Sequence, residues 1–139
     1  MRLIGFNFNK INISKFSNKF KDLKVNTNID IKDIKEVNSN LFNTKEEFIG
    51  IRFNYNVVYD PKIAKIELAG DVLFAVESKI SREILKKWKD KEMPEDFKVT
   101  LFNIILKKSN LKSLQLEDEM NLPLHINMPS IKKTQDKTN

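Results

Sequence analysis

The stretch FIGIRFNYNVVY, residues 48–59, restricts what this chain can fold into more than any other. Its odd positions, Ile49, Ile51, Phe53, Tyr55, Val57 and Tyr59, are apolar or aromatic, while Gly50, Arg52, Asn54 and Asn56 stand between them. A period of two would scatter these side chains around a helix. On a strand it gives one dry face and one wet face. The tripeptide DPK (60–62) follows as a turn, with Pro61 setting its backbone angle in advance. The next run, IAKIELAGDVLFAV, places Ile66, Leu68, Val72, Phe74 and Val76 on one face. Gly70 shares that face, which predicts a bulge or the close approach of another element. The two runs form a hairpin.

Two further strands precede it. VNTNIDI alternates at Val25, Thr27, Ile29 and Ile31, and GFNFNKINI places Phe6 and Phe8 in phase but Ile11 and Ile13 out of phase. A bulge near Asn9 reconciles the two halves. Between residues 34 and 48 runs a polar connection that carries two apolar residues, Leu41 and Phe42. Beyond residue 79 the period changes. Ile80, Ile84, Leu85 and Trp88 recur at helical spacing, and this short helix ends before Pro94. Pro94 suits the start of a second helix, with Glu95 and Asp96 favourable to its N-terminal dipole. Phe97, Leu101, Ile104, Ile105, Leu111 and Leu114 give that helix a wide apolar face. It runs to about Met120, a length of about 40 Å. Asn121 can cap it, and Pro123 forbids continuation. The expected fold class is α+β: a four-stranded antiparallel sheet with a short helix and one long helix packed on one face. Residues 1–131 form one domain, and 132–139 a disordered basic tail.

At 139 residues the chain can bury about two-thirds of its unfolded surface without staples. Cysteine is absent, which excludes disulfides, thiolate zinc sites and cysteine nucleophiles. No apolar run approaches the roughly 18 residues of a membrane span, so the expectation is a soluble, cytoplasmic protein. The net charge of +6 raises an anionic partner, and nucleic acid with it. Of the 25 basic residues only three are arginines, however, and lysines interleave with acids, the pattern of a solvated surface.

Chemistry is sparse. His125 is the single histidine and Gly occurs three times, so neither histidine-pair metal sites nor glycine-rich phosphate loops are available. The acid pairs at 46–47 and 95–96 and the triplet Glu117–Asp118–Glu119 lie where solvated charge is expected. Catalysis by a carboxylate needs a desolvated one. The expectation is no enzyme, no catalytic residue, no metal and no cofactor, with His125 incidental. Asn7, Asn9, Asn26, Asn28, Asn54 and Asn56 fall on the outer strand faces. The long helix is apolar nearly all round, which points to a second helix or a second subunit.

Taken in order, these parts resemble the SecB family of protein-export chaperones: the hairpin FIGIRFNYNVVYDPKIAKIELAGDVLFAV, the junction EILKKWKDKEMPEDF and the closing LPLHINMP. The closing segment keeps the family's two prolines six positions apart, Pro123 and Pro129, after an aliphatic residue, Leu122. The chain is similar in particular to divergent SecB-like proteins. The resemblance implies a homotetramer or dimer assembled through the long helix, acting as a holdase without nucleotide. Unfolded polypeptides would bind in apolar grooves between the sheet and the closing segment, partly by backbone pairing. Leu122, Pro123, Met128 and Pro129 are client-binding residues by that match, and Leu41 and Phe42 join them on apolar character. Two departures stand out. His125 and Asn127 occupy places where the family carries apolar residues, and this chain is basic where the proteobacterial family is acidic. Alternatives are an RNA- or ribosome-associated accessory protein, motivated by charge, and a subunit dedicated to one partner such as an antitoxin.

Overall fold

A computed structural model describes residues 1–37 and 46–134. Leu41 and Phe42 lie outside the described residues. The alternating stretch becomes β3 (Glu47–Asp60), joined through a turn with a cis Asp60–Pro61 bond to β4 (Ala64–Val76). Their register confirms the hairpin: Ile49 opposes Phe74, Ile51 opposes Val72 and Val57 opposes Ile66, all on the dry face and nearly inaccessible. β1 (Arg2–Lys15) and β2 (Lys24–Val37) complete an antiparallel sheet of order β1-β4-β3-β2. The two strands latest in sequence therefore form its centre, and the two earliest its edges.

The bulge expected near Asn9 is present. The β1–β4 register slips between Phe8 and Lys10, so Phe8 opposes Gly70 while Ile11 and Ile13 oppose Leu68 and Ile66 on the same face. A second slip between Leu3 and Gly5, and one in β2 between Ile31 and Asp33, have no counterpart in the expectations. The β2 slip brings Ile34 onto the dry face, where it is buried opposite Ile51. Gly70 answers to the close approach. A Cβ there would stand 2.2 Å from the Asn7 carbonyl oxygen and 3.1 Å from the Phe53 ring. The missing side chain leaves room for Phe6 and Phe8 to pack on Phe53, with ring centroids 5.3 and 6.4 Å away.

Cross-strand register puts the asparagines together on the wet face, Asn28 opposite Asn56 and Asn54 opposite Asp30. Asn7 donates to Asn9 (2.8 Å), which donates to Asp71 (2.5 Å), a polar chain that pins the bulge to β4.

Both helices lie over the dry face. α1 (Ser78–Trp88) buries Ile84, and α2 (Glu95–Glu119) seats Phe97, Leu101 and Ile105 on the sheet. Phe97 meets Phe74 edge to face at 5.8 Å. Beyond Ile105 the buried stripe of α2 turns polar and continues as Ser109, Ser113 and Glu117. Glu117 thus corrects the reading of its triplet as solvated charge: its side chain is fully buried. Val99 and Leu111, 50% and 60% exposed, point away from the sheet.

Candidate functional site

What α2 does at its C-terminal end decides where the closing segment goes. Asn121 adopts a left-handed conformation (φ 53), as its capping role requires. The Leu122 amide donates to the Glu117 carbonyl (2.9 Å) and the Asn121 amide to that of Asp118 (3.4 Å). This paired arrangement is a Schellman motif. It reverses the chain, so that residues 122–126 run back alongside the last turns of the helix that precedes them. Leu122 enters the core, and Lys15 of β1 donates to the Met120 carbonyl at 2.9 Å.

The reversal carries His125 back over Glu117. Nδ1 of the imidazole lies 2.8 and 2.9 Å from the two Glu117 carboxylate oxygens, and the His125 amide donates to the same carboxylate at 3.3 Å. On its far side Nε2 faces the Tyr55 hydroxyl at 3.1 Å and Asn110 Oδ1 at 3.0 Å. Tyr55 donates to Asn110 at 2.6 Å. Tyr59 donates to Glu117 and shares its hydroxyl with the Pro123 carbonyl, 2.8 Å away. A carboxylate, an imidazole, two phenols and an amide from β3, α2 and the closing segment thus form one internal network. The imidazole is 2% exposed and the carboxylate not at all. Burial pushes the Tyr55 and Tyr59 hydroxyls above their ordinary range, and the nearby Glu117 charge adds to it.

His125 is therefore far from incidental: it is the hub by which the closing segment is fixed. Its acid partner is eight residues upstream, brought within reach by the Schellman turn. The carboxylate, the imidazole and both phenols are engaged with one another or with Asn110 Oδ1 and the Pro123 carbonyl, and these four side chains are closed to solvent. The arrangement suits positioning the chain better than acting on a bound molecule.

With His125 turned inward, its neighbours turn outward. Leu124, Ile126 and Met128 are 40, 36 and 56% exposed. Pro129 is exposed too, whereas Pro123 is half-buried and Leu122 sits in the core. On the side of α2 that carries Asn110, one and two turns earlier, stand Leu106 and Phe102. Together with Thr27, Asn28 and Ile29 of β2 these two residues line an open hollow. A second hollow shares Ile29 and Phe102 with the first and extends past Ile31 to Trp88 and Met93. Joined, the two make one trough between edge strand β2 and α2, floored by Ile29, Ile31, Trp88, Met93, Phe102 and Leu106. The hub stands at one end of it. Half-burial is the common property of these six side chains. Helical spacing groups Trp88 with Ile80, Ile84 and Leu85 and singles out neither Phe102 nor Leu106. The usable signal was the excess of apolar residues around α2. Phe16 and Phe20, 66 and 37% exposed on the β1–β2 crossover, add two more surface aromatics.

No metal-ligand cluster of three or more histidine, cysteine or acidic side chains occurs among the described residues. No described helix is long and apolar enough to cross a membrane.

No family model matches this sequence, and no curated protein matches it at a significant level. The fold does find a counterpart. The Mycobacterium tuberculosis Rv1957 SecB-like chaperone, solved in complex with a ChAD peptide from the Rv1956 HigA1 antitoxin, superposes with a TM-score of 0.56. The match spans 96% of this chain and 92% of that one at 7% sequence identity. A four-stranded antiparallel sheet, a short helix and a 25-residue helix in this order, matched over nearly the whole length, give this chain the fold of the SecB-like chaperones.

Proposed function

We propose that this protein is a nucleotide-independent holdase that binds unfolded polypeptide along the β2–α2 trough. The observation that carries the reading is the trough itself, a continuous apolar surface left half-covered beside an edge strand. An extended client can place alternate side chains on Trp88, Phe102 and Leu106. Its backbone can pair with the free edge of β2. Met128 and Pro129 extend the apolar surface past the hub, and the flexible thioether of Met128 adapts to varied side chains. Leu122 and Pro123 contribute by anchoring the segment. The mycobacterial chaperone of the same fold is described with a bound peptide, which supports polypeptide as the ligand class here. Binding, not catalysis, is the role this assigns, in the cytoplasm and within an oligomer joined through Val99 and Leu111 of the long helix.

The test is light scattering from a chemically denatured protein diluted into buffer without nucleotide. Suppression of aggregation at stoichiometric ratios is expected. No protection at several-fold excess overturns the reading. RNA binding measured in parallel addresses the charge-based alternative. Tight association that falls steeply with salt, without client protection, favours an RNA accessory role instead.

A further inference from the structure

The trough is not electrically neutral. Lys91 and Lys98 line it, and each ammonium lies over an aromatic ring of its floor or wall. Lys91 Nζ stands 4.5 Å from the Trp88 ring centre and Lys98 Nζ 5.9 Å from that of Phe102. One carboxylate shares the lining, Asp30, and it is occupied by Lys32 at 2.7 Å. The two aromatic rings of the trough are thus each attended by an exposed cation.

This arrangement acts on a ligand twice. A neutral or basic segment that seats a side chain on Trp88 or Phe102 must displace an ammonium from the ring face, losing a cation–π contact. A segment with a carboxylate beside its apolar residue offers that ammonium a partner at the moment the ring is uncovered. From this we infer that the trough selects, among unfolded chains, apolar segments flanked by aspartate or glutamate. The inference rests on the holdase reading and adds to it a class of client. Its driving force is charge complementarity at the rim, while the apolar floor supplies affinity common to all clients.

Three peptides test it, sharing one tryptophan-free apolar core and flanked by glutamate, glutamine or lysine. Labelled peptide anisotropy reads binding anywhere on the protein. The emission of Trp88, the chain's single tryptophan, reads occupancy of the trough. The glutamate-flanked peptide is expected to bind about fivefold more tightly than the lysine-flanked one at low salt. The gap should narrow as salt rises. The variant Lys91→Glu/Lys98→Glu, changed only at exposed positions, should invert the order. Equal binding of the three with a Trp88 response overturns the preference and leaves the holdase reading standing. Binding without a Trp88 response moves the site elsewhere and likewise overturns the inference. If none of the peptides binds, the holdase reading falls, and the preference with it.

Discussion

Two stretches of the same groove, side by side on α2, are built on opposite principles. At the hub end, Asn110 and Glu117 of the helix meet Tyr55 and Tyr59 of β3, and the chain supplies its own closing segment to engage them. At the trough end, Phe102 and Leu106 line the same hollows as Ile29 and Ile31 of β2, and none of the described residues closes them over. The difference is one of specificity. Directional polar bonds in a dry site accept one partner in one register and penalise every other. Apolar surface beside a free strand edge accepts whatever covers it. One end is finished and the other is left open.

Breaking the finished end should cost most. Glu117→Ala strips the imidazole Nδ1 of its partner and leaves the Tyr59 hydroxyl only the Pro123 carbonyl, and is expected to lower stability by about 3–5 kcal/mol, read by chemical denaturation. The pair Glu117→Leu/His125→Leu sharpens the point. Replacing both partners with apolar residues should be less damaging than either single change, with a coupling of about 2 kcal/mol in a double-mutant cycle. A coupling near zero would mean that the buried pair does not act as a unit.

Alkaline pH separates the two ends without mutation. Tyr55 and Tyr59 are held above their ordinary 10.0, so the unfolded chain ionises these phenols first. The stability they contribute is intact below pH about 10 and is lost as pH rises beyond it. Tyr59→Phe removes one of the two groups and should flatten that slope, at a cost of about 1–2 kcal/mol near neutrality. A variant of the open end behaves differently. Phe102→Gln should cost only about 1 kcal/mol, because the ring is half-covered, yet it should remove most client protection in the scattering assay. Smallest of all is a change remote from both ends. Lys10 and Lys65 hold the Glu67 carboxyl below its ordinary 4.5, so its contribution is present above that pH and fades as pH falls. The group is solvent-screened, and Glu67→Gln should shift stability by about half a kcal/mol or less in the same denaturation series.

The fold was legible because its rules are local. Alternation marked β3 and β4, Pro94 and Asn121 bounded α2, and a phase slip around Asn9 located a bulge. Gly70 announced a close contact, though not that it would be the Asn7 carbonyl. The hub was hidden for a definite reason. Glu117 sits in a run of three acids at a helix end, where exposure is the rule, and only the path of the chain after Asn121 brings His125 above it. His125 looked idle because its partner is set by the turn, not by sequence distance. The departure from the family's apolar pattern at this position makes sense once Glu117 is seen buried beneath it. The trough was hidden because half-burial has no periodic signature: Trp88 falls in helical phase with the core residues of α1, and it packs on the core with one side only.

The strand order carries a consequence for synthesis. β1 pairs only with β4, and β2 only with β3, yet β1 and β2 are made first. β2 can pair once β3 has emerged, but β1 must wait until the central hairpin is complete. That hairpin is joined by a short turn and closes locally, whereas matching Arg2 to Ala75 means closing most of the chain into a loop. Until residue 76 has emerged, β1 stays without its partner. A chain proposed to shelter unfinished polypeptides thus carries an unpaired strand of its own while it is being made.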